Sequence, residues 1–591
     1  MTNRRDVTAA QRRELARVAR GEASADLYVR GGTLLNVYTG ELYPANVAVR
    51  GERIAYVGTR DDMVGSRTRV LEVTGRILVP GYIDPHVHPA HLVTPSALAS
   101  HLLPLGTTSV FADTLQLWEL GGLAGFRAVA DALARSPLKF YWMIRPHAQS
   151  RSPDETRRFR LADLARALAH PQAVALGEVT RWPDAWKGQP DMLRRLGLAG
   201  GRRVEGHTAG ATPEKLAAIA AAGFTSDHEP ITAAEVLARA RQGIAVMLRQ
   251  SSLRPDLSGL LDALKEAPGL ASRVMLTCDG SMPAFIRAHG FVDHLLRVAL
   301  DRGVPPIDAY RMATLNPATY YGLDADLGGI APGRWADLCV LRDLSEPRPQ
   351  TVVARGAVAA EDGHLRVPVP EVPWRRVTAS PRARLTVRWR ARAEDFALPR
   401  RERYPVIRLV SAVITRLEDR ALAPGDLFAA LVDRDGRWVA PAVVAGFAER
   451  LDGLASSITT DFNILVLGRS PAAMAAAVNR LLDLHGGIVI VDGDRVAHEL
   501  PLPLGGVMMP GSLEAAAVRE DALRAALVAR GYPHHEPLFT LFFLAADFLP
   551  AARLTPRGVW DVKQNRVLLP ARRVRRMQPR ATNGRDGATR A

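Results

Sequence analysis

Two histidines one residue apart, His86 and His88, end the stretch V-P-G-Y-I-D-P-H-V-H at residues 79–88. The apolar and β-branched residues Ile77, Leu78, Val79 and Ile83 make residues 76–83 a short predicted strand that runs into them. Side chains alternate along a strand, so both imidazoles point the same way and can grip one metal ion. Acids and imidazoles recur after other short apolar runs: Glu178 in A-L-G-E-V-T, His207 in V-E-G-H-T, His228 in T-S-D-H-E and Asp279 in L-T-C-D-G. Any one of them alone reads as a cap, an ion-pair partner or a packed polar residue. Six such residues, each at the end of a predicted strand, argue for one site. Imidazole nitrogen with carboxylate oxygen, and no thiolate, suits Zn, Fe(II) or Mn(II). Six ligands suit two ions, with Glu178 bridging.

To bring these residues together the chain needs a closed parallel sheet. From residue 76 to 323, strand and helix patterns alternate. Strands are expected at 77–83, 109–112, 139–144, 173–177, 203–205, 224–226, 244–248 and 273–276, with helices between them, among them 95–103, 122–135 and 213–222. Eight such units predict an α/β fold, a (β/α)8 TIM-like barrel with its chemistry at the C-terminal ends of the strands. His91 and His147 lie near strand ends, within reach of that rim. His101 and His294 sit in packed helical patterns and read as structural.

The expected domains flank this barrel. Residues 1–75 read as an N-terminal helix, 7–23, and the first part of a β-sandwich. The barrel spans 76–328. Residues 329–378 complete the sandwich and include a Pro- and Val-rich linker, 367–373. An α+β C-terminal domain occupies 379–570, with its clearest helix at 474–484 and its clearest strand at 487–491. Residues 571–591 form a basic tail expected to be disordered.

Composition narrows the function classes. The 591 residues carry a net charge of +16. Most of it is arginine spread along the chain, with acids interleaved. No basic face with aromatics among it is legible, so a nucleic-acid partner is not expected. Two cysteines, Cys278 and Cys339, exclude a disulfide framework, a Cys-rich zinc module and a C-x-x-C redox site. The first 20 residues lack the apolar stretch of a signal peptide, and no run approaches the roughly 20 apolar residues of a membrane span. A cytoplasmic protein acting on a small molecule is the expectation.

The motifs resemble those of the amidohydrolase superfamily and, within it, the bacterial adenine deaminases. In the barrel they are P-G-Y-I-D-P-H-V-H, L-G-E at 176–178, E-G-H at 205–207, S-D-H-E at 226–229, M-A-T-L-N-P-A at 312–318 and I-A-P-G-R-W-A-D-L at 330–338. Further along, N-I-L-V-L-G at 463–468, G-G-I-V-I-V at 486–491 and L-P-L-P-L-G-G at 500–506 are similar to the adenine deaminase C-terminal domain. The resemblance implies that His86, His88, Glu178, His207, His228 and Asp279 bind two ions, Mn(II) or Fe(II), with zinc as the alternative. It also implies a homodimer that hydrolyses adenine to hypoxanthine and ammonia through a metal-bound hydroxide, Asp279 shuttling the proton and Glu178 sharing the catalytic role. Asp113, Arg181, Arg249 and Asn463 are the expected substrate contacts.

Around the pocket the chain departs from the family pattern. Leu115 and Gln116 stand where the family carries His and Glu, Gly280 follows Asp279, and Gln250 replaces an acid after Arg249. These changes raise two alternatives: hydrolysis of another nitrogen heterocycle or cyclic amide, and a non-catalytic binding scaffold.

Overall fold

The computed structural model describes residues 7–378, 383, 385 and 389–574. Its centre is an eight-stranded parallel sheet, paired in chain order. The strands are β1 (Tyr82–Val87), β2 (Thr107–Asp113), β3 (Lys139–Ile144), β4 (Ala173–Val179), β5 (Arg203–Gly206), β6 (Ser226–Asp227), β7 (Ala245–Arg249) and β8 (Val274–Thr277). A parallel bridge between Val87 and Asp279 returns β8 to β1. The buried carboxylate of Asp84 reinforces this closure, accepting from Thr277 Oγ1 at 2.8 Å and Cys278 N at 2.9 Å. The expected TIM-like barrel is present.

The first predicted strand proves to be two. Ile77–Pro80 pairs with Leu338–Leu341 and with Leu27–Leu35 in a separate nine-stranded sheet, while Tyr82–Val87 enters the barrel. Gly81 is the joint, where a Cβ would fall 2.3 Å from Thr108 Oγ1. The nine-stranded sheet takes strands from both sides of the barrel in sequence, Leu27–Leu35 through Arg69–Glu72 before it and Leu338–Leu341 through His364–Leu365 after it. The N-terminal helix runs only from Ala9 to Ala19, started by a Thr8–Gln11 capping box.

The helix after β2 also starts earlier than its sequence pattern implies. It spans Leu115–Leu133, because Asp113 Oδ1 accepts from Leu115 N and Gly122 absorbs a break at φ +57°. That start sets Leu115 and Gln116 on the barrel rim.

The C-terminal half holds a second nine-stranded sheet, backed by the helix Pro471–Asp483, and a three-stranded sheet, Ala552–Thr555, Gly558–Asp561 and Arg566–Pro570. Arg572 and Arg573, assigned above to a disordered tail, instead pair with Trp438 and Val439 as a short strand, since backbone pairing needs no apolar side chain. The rest of that tail, 575–591, lies outside the described residues. Among the described residues, no helix is long and apolar enough to cross a membrane.

Candidate active site

All six residues meet at the C-terminal rim of the barrel. His86 and His88, on one face of β1, bring their Nε2 atoms within 3.3 Å of each other. Asp279 Oδ1, just after β8, lies 3.5 Å from His86 Nε2 and 3.3 Å from His88 Nε2. Its backbone sits at φ +50°, an uncommon region that Asp tolerates better than most residues. Glu178, within β4 rather than after it, puts Oε1 2.6 Å from His207 Nδ1 and 3.7 Å from His228 Nε2. Its other oxygen is 3.7 Å from His88 Nε2.

Several overlapping trios of donors lie close enough to share an ion, and two of them divide the six residues between them: His86 with His88 and Asp279, and Glu178 with His207 and His228. Within each group the ligand atoms lie within 4.8 Å of one another. The fit to cations is visible in the pairing. Both ring nitrogens of His207 and the Nδ1 of His88 are buried without a hydrogen-bond partner. Glu178 Oε1 lies close to His207 Nδ1 without meeting hydrogen-bond geometry. Imidazole and carboxylate donors of this kind suit divalent Zn, Fe or Mn.

Charge around the site is tuned by neighbours. Burial alone pushes the Glu178 carboxyl up, but Arg145 and the imidazoles of His207 and His228 hold it well below the usual carboxylate range. Arg145 Nη1 donates to Glu178 Oε2 at 2.9 Å and to its backbone oxygen at 2.8 Å. Burial lowers the His207 imidazole, yet Glu229 and Glu178 outweigh it and raise it to about 9. The field that does so favours a cation at this point.

Three functional neighbours escaped the sequence reading. Glu205 bridges two of the imidazoles, with Oε2 3.1 Å from His86 Nδ1 and Oε1 2.8 Å from His228 Nδ1. A carboxylate behind an imidazole turns the opposite nitrogen toward a metal. The signal was there, because Glu205 lies two residues before His207. Glu229 packs 3.4 Å from His207 Nδ1 and ion-pairs with Arg249. Arg145 carried a positional signal too, directly after β3, though its acidic partners Asp113 and Glu178 come from the neighbouring strands.

The expected substrate contacts divide. Arg249 lines the cavity, its Nη1 3.0 Å from Asp279 Oδ2, and leaves Nε and Nη2 unpartnered. Asp113 lies behind the site, its Oδ2 accepting from Glu178 N at 3.3 Å. Arg181 turns away to Glu155, at 2.8 Å, and Ala148 O, at 3.1 Å. Asn463 stays in the C-terminal half, its Nδ2 on Asp461 and its Oδ1 on Arg434 N. Both are drawn off by partners that the sequence reading did not foresee. His91 does reach the cavity, stacked on His88 at 5.1 Å between centroids, while His147 is buried with Nδ1 on Ala148 O. His101 pairs with Glu514, and His294 packs against Phe285 and His289.

The cavity over the cluster is small, about 80 Å³, and is roofed from the C-terminal half by Phe539, Phe542, Phe543, Phe548 and Leu549. Phe548 stands edge-on to the His207 ring, 5.4 Å between centroids. The cavity thus lies between the ligand cluster on the barrel rim and a row of phenyl rings.

Residues 77–359 match the Amidohydrolase family, so the barrel and its rim are those of a metal-dependent amidohydrolase. Residues 413–566 match the Adenine deaminase C-terminal domain. A protein of Halalkalibacterium halodurans is 35% identical over 95% of this chain and 98% of its own. The adenine deaminase of Methylobacterium nodulans is 35% identical over 93% of this chain and 98% of its own, and that of Moorella thermoacetica 32% over 94% and 97%. The chain belongs to the adenine deaminase family.

Proposed function

We propose that the protein hydrolyses adenine to hypoxanthine and ammonia. The observation that carries this reading is the pair of three-ligand groups at the floor of a small aromatic-roofed cavity. His86, His88 and Asp279 would hold one divalent ion and Glu178, His207 and His228 the other, with Mn(II) or Fe(II) expected and zinc the alternative. Ions held there would supply a water of pKa near neutrality, a nucleophile available at pH 7.

The residues do the rest. Burial opposes ionisation of Asp279, but His86, His88 and Arg249 keep its carboxyl well below the usual range. It is thus an ionised acceptor beside the site of attack. Its carboxylate takes the proton of the attacking water and passes it to the departing exocyclic amine. Arg145 fixes Glu178, Glu205 orients His86 and His228, and the free Nη2 of Arg249 offers a donor to a ring nitrogen. The phenylalanine roof covers the planar ring and excludes bulk water. A homodimer, as the family resemblance implies, and a cytoplasmic location, as the composition suggests, accompany this reading.

Ammonia release and hypoxanthine formation by the purified, Mn-loaded protein test it, alongside other aminopurines, pterins and cyclic amides. Ammonia from adenine supports the reading. No reaction with adenine, but turnover of another ring, would replace the substrate and leave the hydrolytic chemistry. Leu115 on the cavity wall, an apolar residue where the family carries His, favours that second reading.

A further inference from the structure

Gln116 lies in the first turn of the helix after β2 and lines the cavity together with Glu178, His207 and Asp279. It is 2% exposed, and among the described residues neither its Oε1 nor its Nε2 has a hydrogen-bond partner. Buried polar groups are rarely left so, and a carboxamide unpaired on both sides calls for a ligand. Gln149 on the same cavity shows the contrast. Its Oε1 accepts from Arg145 Nη2, and a guanidinium only donates, so that amide is already oriented and half satisfied.

Resting on the adenine reading, we propose that Gln116 is the specificity-determining residue that pairs with the ring edge remote from the reacting carbon. Attack at C6 commits the edges that include the exocyclic amine to the reacting end. The edge left over presents N3, an acceptor, and N9–H, a donor, one carbon apart. A carboxamide complements that pair by donating from Nε2 to N3 and accepting at Oε1 from N9–H. A carboxylate at this position accepts only, so it would meet N9–H and repel N3. The ligand class selected is a purine base with an unsubstituted N9. A base carrying a sugar or methyl group there loses the donor and leaves Oε1 unpaired.

Two measurements on the metal-loaded full chain test this. The first is kcat/KM for adenine, 9-methyladenine and 3-deazaadenine with the wild type, Gln116→Ala and Gln116→Glu. The second is calorimetric binding of hypoxanthine and 9-methylhypoxanthine to the same proteins, which needs no turnover. The wild type is expected to lose at least about tenfold on each analogue. Gln116→Ala should lose a similar factor on adenine and then no longer distinguish the three bases. Gln116→Glu should keep discrimination against the 9-methyl compounds while favouring 3-deazaadenine over adenine. Equal losses on all bases in Gln116→Ala, or no loss, overturn the assignment. If adenine is not turned over, the proposed reaction fails. The binding series then decides Gln116 on its own, and an absence of 9-methyl discrimination in the wild type sinks it.

Discussion

His86 and His228 lie face to face, ring centroids 4.3 Å apart and planes 21° from parallel, and each brings Nδ1 to a different oxygen of Glu205. They stand in different groups of the two proposed to hold the ions, and Glu205 touches both, so one buried carboxylate orients an imidazole in each half of the site. Removing one of its oxygens therefore acts on both halves at once. Glu205→Gln keeps the size but offers a single acceptor. Metal affinity is expected to fall about 10–100-fold. Competition with a fluorescent chelator measures it, and unchanged affinity would show that Glu205 serves the fold alone.

His207 belongs to one group and not the other. In His207→Ala one of two metal equivalents should be lost, with kcat reduced at least about a hundredfold. Elemental analysis of the purified variant gives the count. Two retained equivalents with normal turnover would falsify the two-group assignment.

Where the barrel meets the C-terminal half, Glu520 accepts from Ala284 N at 2.8 Å and lies 3.4 Å from Arg524. Burial, with Glu536 nearby, pushes its carboxyl up to about 8, against the pull of the Ala284 hydrogen bond and Arg524. The folded value exceeds the unfolded one of about 4.5, so folding favours the protonated form. That contribution is complete below about 4.5 and is lost as pH rises through about 8. The apparent melting temperature should fall between pH 5 and 8.5, and Glu520→Gln should flatten the fall. Parallel curves for the two proteins across that range would contradict this.

Arg553 is buried with no acidic partner among the described residues. Its guanidinium bonds Val413 O at 2.9 Å, Pro550 O at 3.3 Å and Phe543 O at 3.4 Å, and burial lowers it to about 9, so it remains charged at pH 7. Val413 and Phe543 line the cavity, so Arg553 braces its roof. Arg553→Met leaves these carbonyls unpaired and should destabilise the protein by about 1–3 kcal/mol. KM should rise more than kcat falls. Denaturant unfolding and steady-state kinetics together check this. A stability loss with unchanged KM would confine Arg553 to the fold.

The ligand set was legible because it obeys local rules. His86 and His88 share a strand face, and Glu178, His207, His228 and Asp279 each lie in or directly after a short apolar run that becomes a barrel strand. Strand alternation and the parallel-barrel rule then send all six to one rim. What the tertiary structure decided are contacts with no local signature. Arg145 reaches Glu178 from the neighbouring strand, and Phe539, Phe542, Phe543 and Phe548 come from far beyond the last barrel strand, Val274–Thr277, to line the cavity. Arg181 and Asn463 were drawn elsewhere by Glu155, Asp461 and Arg434, because a long polar side chain follows the best partner within reach. Gly81 divides one apolar run between two sheets, since only three-dimensional packing against Thr108 forbids a side chain there. Periodicity sets which face a residue takes on its own element. The partner across the gap is set by how elements distant in sequence pack.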